Sequence, residues 1–272
     1  MSTGIFIVAA GEGARLPYNI GKKIPKCLLP ISLIDTNYRG SDLIIDRIIK
    51  LINESVGKKQ AEINIMISNT DPLISNYLET LADNITVNVI EWHESSINTL
   101  KHCDSIIKSK NYKRCMFING DMFISDVAKV ISSAKKMFAA NDVCLVENHR
   151  SFKYLWSSVV CDDKNKLLSI YPDYVFTTNN LCDMSFFSRK TYERIVKKIN
   201  DGFSHPWWEM AFIQMINNKE LEVHAVFIND PDGQALLSNI NNISPDLSKK
   251  QVYVELKTKM SFMEERFNDF KD

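Results

Sequence analysis

Over its first 130 residues the chain alternates short apolar runs with segments of helical period, which restricts it to folds built from βαβ units around a mostly parallel sheet. GIFIVA (4–9) reads as a buried strand that runs into a turn at Gly11 and Gly13. SDLIIDRIIKLIN (41–53) places Leu43, Ile44, Ile48 and Leu51 on one helical face, with Ser41 as N-cap. INIMIS (63–68) is a strand, and DPLISNYLETLA (71–82) is a helix with Pro72 in its first turn. ITVNVIE (85–91) alternates like a strand, 97–109 returns to helical period, and RCMFING (114–120) is a buried strand leading to Asp121.

The second half is mixed. Residues 142–147, 157–161 and 221–230 read as strands; 188–200, 207–218 and 251–270 read as helices, the last polar on much of its surface. Nothing resembles a linker, a repeat or a low-complexity tract, so one domain spanning 1–272 is expected. Lys+Arg and Asp+Glu are equal at 33 each, so no net field draws the chain to nucleic acid or anionic lipid. The six cysteines are scattered, form no C-x-x-C pair and do not combine with histidines at zinc spacing, which fits reduced, buried thiols in a cytoplasmic protein. No leader pattern opens the chain, and no apolar run approaches the roughly 20 residues of a membrane span.

The most informative stretch is AAGEGARLPYNIGKKIPKCLLPI (9–31). A strand entering Gly11-Glu12-Gly13 gathers backbone N–H groups without Cβ obstruction, a geometry suited to phosphate oxygens. Arg15 follows with a fork suited to phosphate, and Lys26 supplies a second cation behind Pro25. A dinucleotide fingerprint would need glycine where Leu16 stands and a helix where Pro17 intrudes. The Gly-Lys-Ser/Thr of a Walker loop is absent.

The whole string resembles the signature of the sugar-nucleotidyltransferase superfamily, A-A-G-x-G-x-R-L-x-P…P-K-x-L-x-P-I. It departs in two ways: Pro17 directly follows Leu16, and the Arg15-to-Lys26 interval is one residue longer than usual. The resemblance implies an α/β fold, a Rossmann-like three-layer sandwich with a mostly parallel mixed sheet of the GT-A-like nucleotidyltransferase kind. It implies an NTP-binding half over 1–130, an acceptor-binding half over 131–242 and a helical tail over 243–272. The implied activity is transfer of NMP from an NTP to a small phosphorylated acceptor, feeding surface-glycan or lipid decoration. Ala10, Gly11, Glu12, Gly13 and Gly120 would hold the nucleotide, with Arg15 and Lys26 acting on its phosphates at the reaction centre.

Such chemistry brings two anions together, and a divalent ion held by carboxylates offsets their repulsion. Mg2+ is therefore the implied cofactor, since it needs only one or two protein carboxylates. Asp121, at a strand end in a Gly-Asp pair, matches the family's first ligand. Asp230, in FINDPDGQALLSNI (227–240), matches the second by order, with Asp232 as competitor or helix N-cap.

WHESSINTLKHC (92–103) lies where the family turns beside the nucleobase, and Asn98-Thr99-Leu100 resembles its Gly-Thr-Leu. Ser96, Asn98 and Thr99 are the candidates for base or ribose contact, Glu94 a weaker one; capping of the helix by Ser96 or Asn98 is the plain alternative. The acceptor half lacks the Glu-Lys pair usual in sugar-1-phosphate members. Its order of Glu147, Trp156, Asp162-Asp163, Lys166 and Trp208-Glu209 is instead similar to bacterial CTP:phosphocholine cytidylyltransferases. An aromatic-plus-acid pocket suits an ammonium group, which assigns Trp156, Trp208 and Glu209 to the acceptor, against core or interface packing of the tryptophans. Two other functions compete: a GT-A-type glycosyltransferase, disfavoured by Gly-Asp-Met at 120–122 in place of Asp-x-Asp, and a non-catalytic nucleotide-binding regulator. The expected partners are the NTP and its acceptor, with 251–270 compatible with either core packing or a homodimer contact.

Overall fold

Strand β1 (Thr3–Ala9) has no exposed side at its centre: Ile5, Phe6 and Ile7 are all 0% exposed. A continuous apolar run of this kind belongs in the middle of a sheet covered on both faces, and that is its place in the computed structural model. The structure describes residues 3–11, 16, 24–34, 38–57, 61–68, 72–90, 95–124, 126–148, 157–172, 177, 179–229, 237–239 and 248–261. After β1 come helix α1 (Ile44–Val56), β2 (Ala61–Ile67), α2 (Pro72–Thr80), β3 (Ile85–Val89), α3 (Ser96–Lys110) and β4 (Arg114–Asn119). Then follow β5 (Met122–Ile124), α4 (Val127–Ala139), β6 (Val143–Asn148), β7 (Ser157–Cys161), β8 (Leu167–Pro172) and β9 (Asn179–Ser188). The chain continues through α5 (Arg189–Asn200), α6 (Trp208–Asn217), β10 (His224–Asn229), β11 (Leu237–Asn239) and α7 (Lys249–Lys259).

The sheet order is β10-β6-β9-β4-β1-β2-β3, with β7 and β8 extending it beside β9. β1 is parallel to both β2 and β4, β2 to β3, and β10 to β6. β9 is inserted antiparallel between β4 and β6. Two antiparallel steps restore direction, so the C-terminal ends of β1, β2, β3, β4, β6 and β10 share one edge. Two hydrophobic clusters make up the core. Ile5 and Ile7 join α1, α2, α4 and α7 on one face; Phe6 joins α3, α5 and α6 on the other. The result is a three-layer α/β sandwich with a mostly parallel mixed sheet.

Several local expectations shift. Ser41 does not cap α1: the helix begins at Ile44, and the Asp46 carboxylate accepts the Leu43 N–H at 2.7 Å from inside the first turn. α3 is capped by Ser95, whose hydroxyl accepts from the Ile97 N–H, and not by Ser96 or Asn98. α7 covers the first part of the expected 251–270 helix, of which 262–270 lie outside the described residues. It packs on its own core through Val252, Leu256 and Met260, at 1%, 0% and 0% exposed. No helix among the described residues is long and apolar enough to cross a membrane.

Candidate active site

Along the sheet edge, chain order reverses between β1 and β4: β2 and β3 lie to one side of β1 and β4 to the other. Doubly wound sheets open a ligand crevice at such a point, outside the carboxyl ends of the strands. Val8 pairs with Asn119, and the Gly120 N–H donates to the Val8 carbonyl at 2.7 Å. A Cβ on Gly120 would sit 2.6 Å from the Ala9 Cβ and 3.0 Å from its Cα, so glycine is required by this approach. The two strand ends are thereby locked together, with buried Ala10 and exposed Gly11 on one and Asp121 on the other.

Lys26 comes from a different direction. It opens a 3-10 turn, Lys26–Leu28, whose Cys27 and Leu28 are both 0% exposed and anchor the turn in the core. Its ammonium donates to Asp121 Oδ2 at 2.7 Å, with the two side chains only 13% and 18% exposed. Burial pushes the Cys27 thiol up to about 12, and the nearby Asp121 charge adds to the shift.

A second junction joins the N-termini of α3 and α6. The Ser96 hydroxyl accepts from the Trp208 N–H at 2.9 Å and donates to Glu209 Oε2 at 2.8 Å. Ser95 Oγ donates to the Pro206 carbonyl at 2.7 Å. Desolvation raises the Glu209 pKa, while hydrogen bonds from its own backbone N–H and from Ser96 pull it back. Asn98 is half-buried, and the buried Thr99 Oγ1 has no hydrogen-bond partner among the described residues.

The structure therefore brings together three groups of the expected site residues: Ala10 and Gly11 with Gly120; Lys26 with Asp121; and Ser96 with Trp208 and Glu209. The last group mixes a residue expected at the base with two expected at the acceptor. Trp208 itself is 6% exposed, and its ring lies 5.4 Å from that of Phe117, which stacks on Phe6 at 5.4 Å. The exposed indole is its neighbour, Trp207, at 44%. Glu12, Gly13, Arg15, Glu94, Trp156, Asp230 and Asp232 lie outside the described residues.

Sequence reasoning named Glu147 within the cytidylyltransferase-like order but gave it no place in the site, and the structure sets it in a polar group at the same edge. Glu147 of β6, 2% exposed, stands opposite Asn180 of β9 in register, and Asn180 in turn pairs with Ser158 of β7. Glu147 follows four buried residues in VCLVEN, and a carboxylate ending a run with no exposed position is the signal that marked it.

Asp121 offers a hard oxygen donor at a strand end, and no three His, Cys, Asp or Glu side chains converge among the described residues. A single strand-end carboxylate suits magnesium, which seldom takes an all-protein cage. β10 ends at Asn229, just before Asp230, and the chain re-enters at Leu237 opposite Ile124, in the strand that follows Asp121.

No family model and no curated protein sequence matches the chain. Solved structures do. The crystal structure of UDP-glucose pyrophosphorylase complexed with UDP-glucose aligns with a TM-score of 0.62 at 12% identity, covering 84% of this chain and 91% of that one. The chain shares the fold of that enzyme. The inositol-1-phosphate CTP transferase from T. maritima shares it, with a TM-score of 0.60 at 16% identity over 94% of this chain and 96% of its own. At these identities the likeness is one of architecture. Within that architecture, the β1/β4 switch point of this chain carries Gly11, Gly120 and Asp121.

Proposed function

We propose that the chain is a nucleotidyltransferase, one domain over 1–272, that transfers NMP from an NTP to a small phosphorylated acceptor and releases pyrophosphate. The observation that carries this reading is the Lys26–Asp121 pair at the β1/β4 strand ends, two residues 95 positions apart that meet at 2.7 Å. A cation and a carboxylate beside a glycine-rich strand end are what a reaction between two phosphates needs.

An oxygen of the acceptor phosphate attacks the α-phosphorus of the NTP. A new P–O bond forms, the bond from the α-phosphorus to the oxygen bridging to the β-phosphate breaks, and its electrons leave with pyrophosphate. Backbone N–H groups from Gly11 onward, with Arg15, hold the triphosphate. Lys26 places positive charge where negative charge builds on the α-phosphoryl group. Asp121, with Asp230, would hold magnesium, whose charge offsets the repulsion between attacking and departing phosphates. Ser96, Asn98 and Thr99, in the first turn of α3, are the candidates for base or ribose contact, and half-buried Asn98 is the most accessible of the three.

The acceptor is a sugar 1-phosphate or a phosphocholine-like alcohol phosphate. Glu209 supports the second by position, in the first turn of α6 two residues after the exposed indole of Trp207. The test is pyrophosphate release with magnesium, crossing CTP, UTP, GTP, ATP and dTTP against sugar 1-phosphates, phosphocholine, phosphoethanolamine and glycerol phosphates. Release that requires one NTP and one acceptor together is expected, and Asp121→Ala should abolish it while leaving the fold intact. An NTP-binding, folded wild type that releases nothing with any pair would favour a regulator.

A further inference from the structure

The carboxylate assigned to the metal is already bonded to a cation of the protein's own. Lys26 Nζ lies 2.7 Å from Asp121 Oδ2, and both side chains are largely withdrawn from water at 13% and 18% exposure. A charge-assisted bond in such a setting is stronger than a surface ion pair, and breaking it leaves two poorly solvated charges. The contact is also not free to drift. Lys26 sits in a turn closed by Leu28 N–H to Pro25 O at 2.9 Å and Leu29 N–H to Lys26 O at 3.0 Å, and the core holds Cys27 and Leu28. Asp121 follows Gly120, itself bonded to β1.

We infer that Lys26 is a resident counter-ion that keeps divalent cations off Asp121 until nucleotide phosphates draw its ammonium away; this rests on the nucleotidyl-transfer reading. A bare divalent cation arriving at Asp121 meets the ammonium beside it, and like charges repel strongly where water is scarce. Moving Lys26 aside without an anion to receive it strands the ammonium. A triphosphate changes both terms at once: it offers Lys26 a new anionic partner and brings negative charge for the metal. The exchange is therefore concerted in equilibrium terms. Nucleotide tightens cation binding, and by linkage the cation tightens nucleotide binding by the same factor. The device confines metal binding to the nucleotide-loaded state, so metal and nucleotide occupy the site together.

The test is nucleotide-free Mn2+ binding, followed by electron paramagnetic resonance of free Mn2+, for wild type, Lys26→Met and the double variant Lys26→Met/Asp121→Asn. Far-ultraviolet circular dichroism and thermal melting certify that each is folded, and Lys26→Gln serves if the Met variant is not. Lys26→Met should bind Mn2+ about tenfold or more tightly than wild type, within the usual span of coupled sites, and the double variant should lose that gain. Equal affinity in wild type and Lys26→Met overturns the inference, as does a gain that survives Asp121→Asn. Failure of the reading looks different: Mn2+ binding would follow the expected pattern, yet no NTP and acceptor pair would yield pyrophosphate.

Discussion

Trp208 was a candidate wall of the acceptor pocket, and its packing makes a quantitative prediction. The residue is 6% exposed, its ring centroid lies 5.4 Å from Phe117, and it belongs to the core cluster under α3, α5 and α6. An aromatic side chain of this kind buries roughly 150–250 Å². At about 25 cal/mol per Å² that is ~4–6 kcal/mol, an upper figure because unfolded chains already bury part of such surface. Discounting by about a quarter gives ~3–5 kcal/mol for Trp208→Ala, the range seen when large aromatic residues are truncated in cores. Trp207, at 44% exposed, should lose less than about 1 kcal/mol on the same change. Urea titration of wild type, Trp208→Ala and Trp207→Ala, read by circular dichroism, gives the two shifts in midpoint directly. Because Phe117 stacks on Phe6, the loss at Trp208 should reach the strands that carry Ala10 and Asp121, and turnover should fall with stability. A Trp208→Ala shift below about 1 kcal/mol, with acceptor KM raised and the fold intact, would refute the packing argument and return Trp208 to the acceptor.

Glu209 supplies a pH test. Its carboxyl is raised above 4.5 by desolvation, so its protonated form is the one the fold favours. The stability it contributes is present below its unfolded value and is lost as pH rises through its folded value. Glu209→Gln stays neutral and can still accept from Ser96, so its melting temperature should gain on wild type as pH is raised from 4.5 toward about 8. A gap that narrows over that range would contradict the assignment. The Ser96–Glu209 bond can be isolated by a double-mutant cycle of Ser96→Ala and Glu209→Gln in denaturant, with a coupling of about 0.5–3 kcal/mol expected and simple additivity the contrary result. Gly120→Ala would force a methyl against the Ala9 backbone, so a destabilisation of about 1–3 kcal/mol is expected, with pyrophosphate release falling further than stability. Unchanged turnover in a destabilised Gly120→Ala would separate the β1/β4 contact from the chemistry.

The parallel half of the sheet was legible because its signals are local. A fully buried strand needs an unbroken apolar run, and GIFIVA and RCMFI have one; the amphipathic helices between them repeat at the period of a covered face. The antiparallel insertion of β9 was not legible, since placing it between β4 and β6 depends on pairing between residues far apart in the chain. The helix starts show the same divide. Ser41, Ser96 and Asn98 are all good cap residues by type, yet Leu43 stands at the first cap, its N–H held by Asp46, and Ser95 takes the second, with Ile44 and Ser96 buried just inside each helix.

The site divides along the same line. Gly120 and Asp121 could be read from sequence because a strand end fixes their position, and Lys26 because a proline and two core residues fix its turn. What residue types could not convey is which candidates touch. Ser96 was assigned to the base and Glu209 to the acceptor, but one hydroxyl bonds both Glu209 and the backbone of Trp208. Substrate contacts at α3 would therefore be felt at α6 through a 2.8 Å hydrogen bond, and through Trp208 at β4. Lys26 and Asp121 carry the same lesson with charges: each was read as a partner for an absent ligand, and each satisfies the other. Polar groups that a ligand will use must be kept solvated or paired until it arrives, because an unpaired buried charge destabilises the fold. Lys26 with Asp121, and Glu209 with Ser96, are paired in this way; on the proposed function each substrate would have to replace one of these bonds.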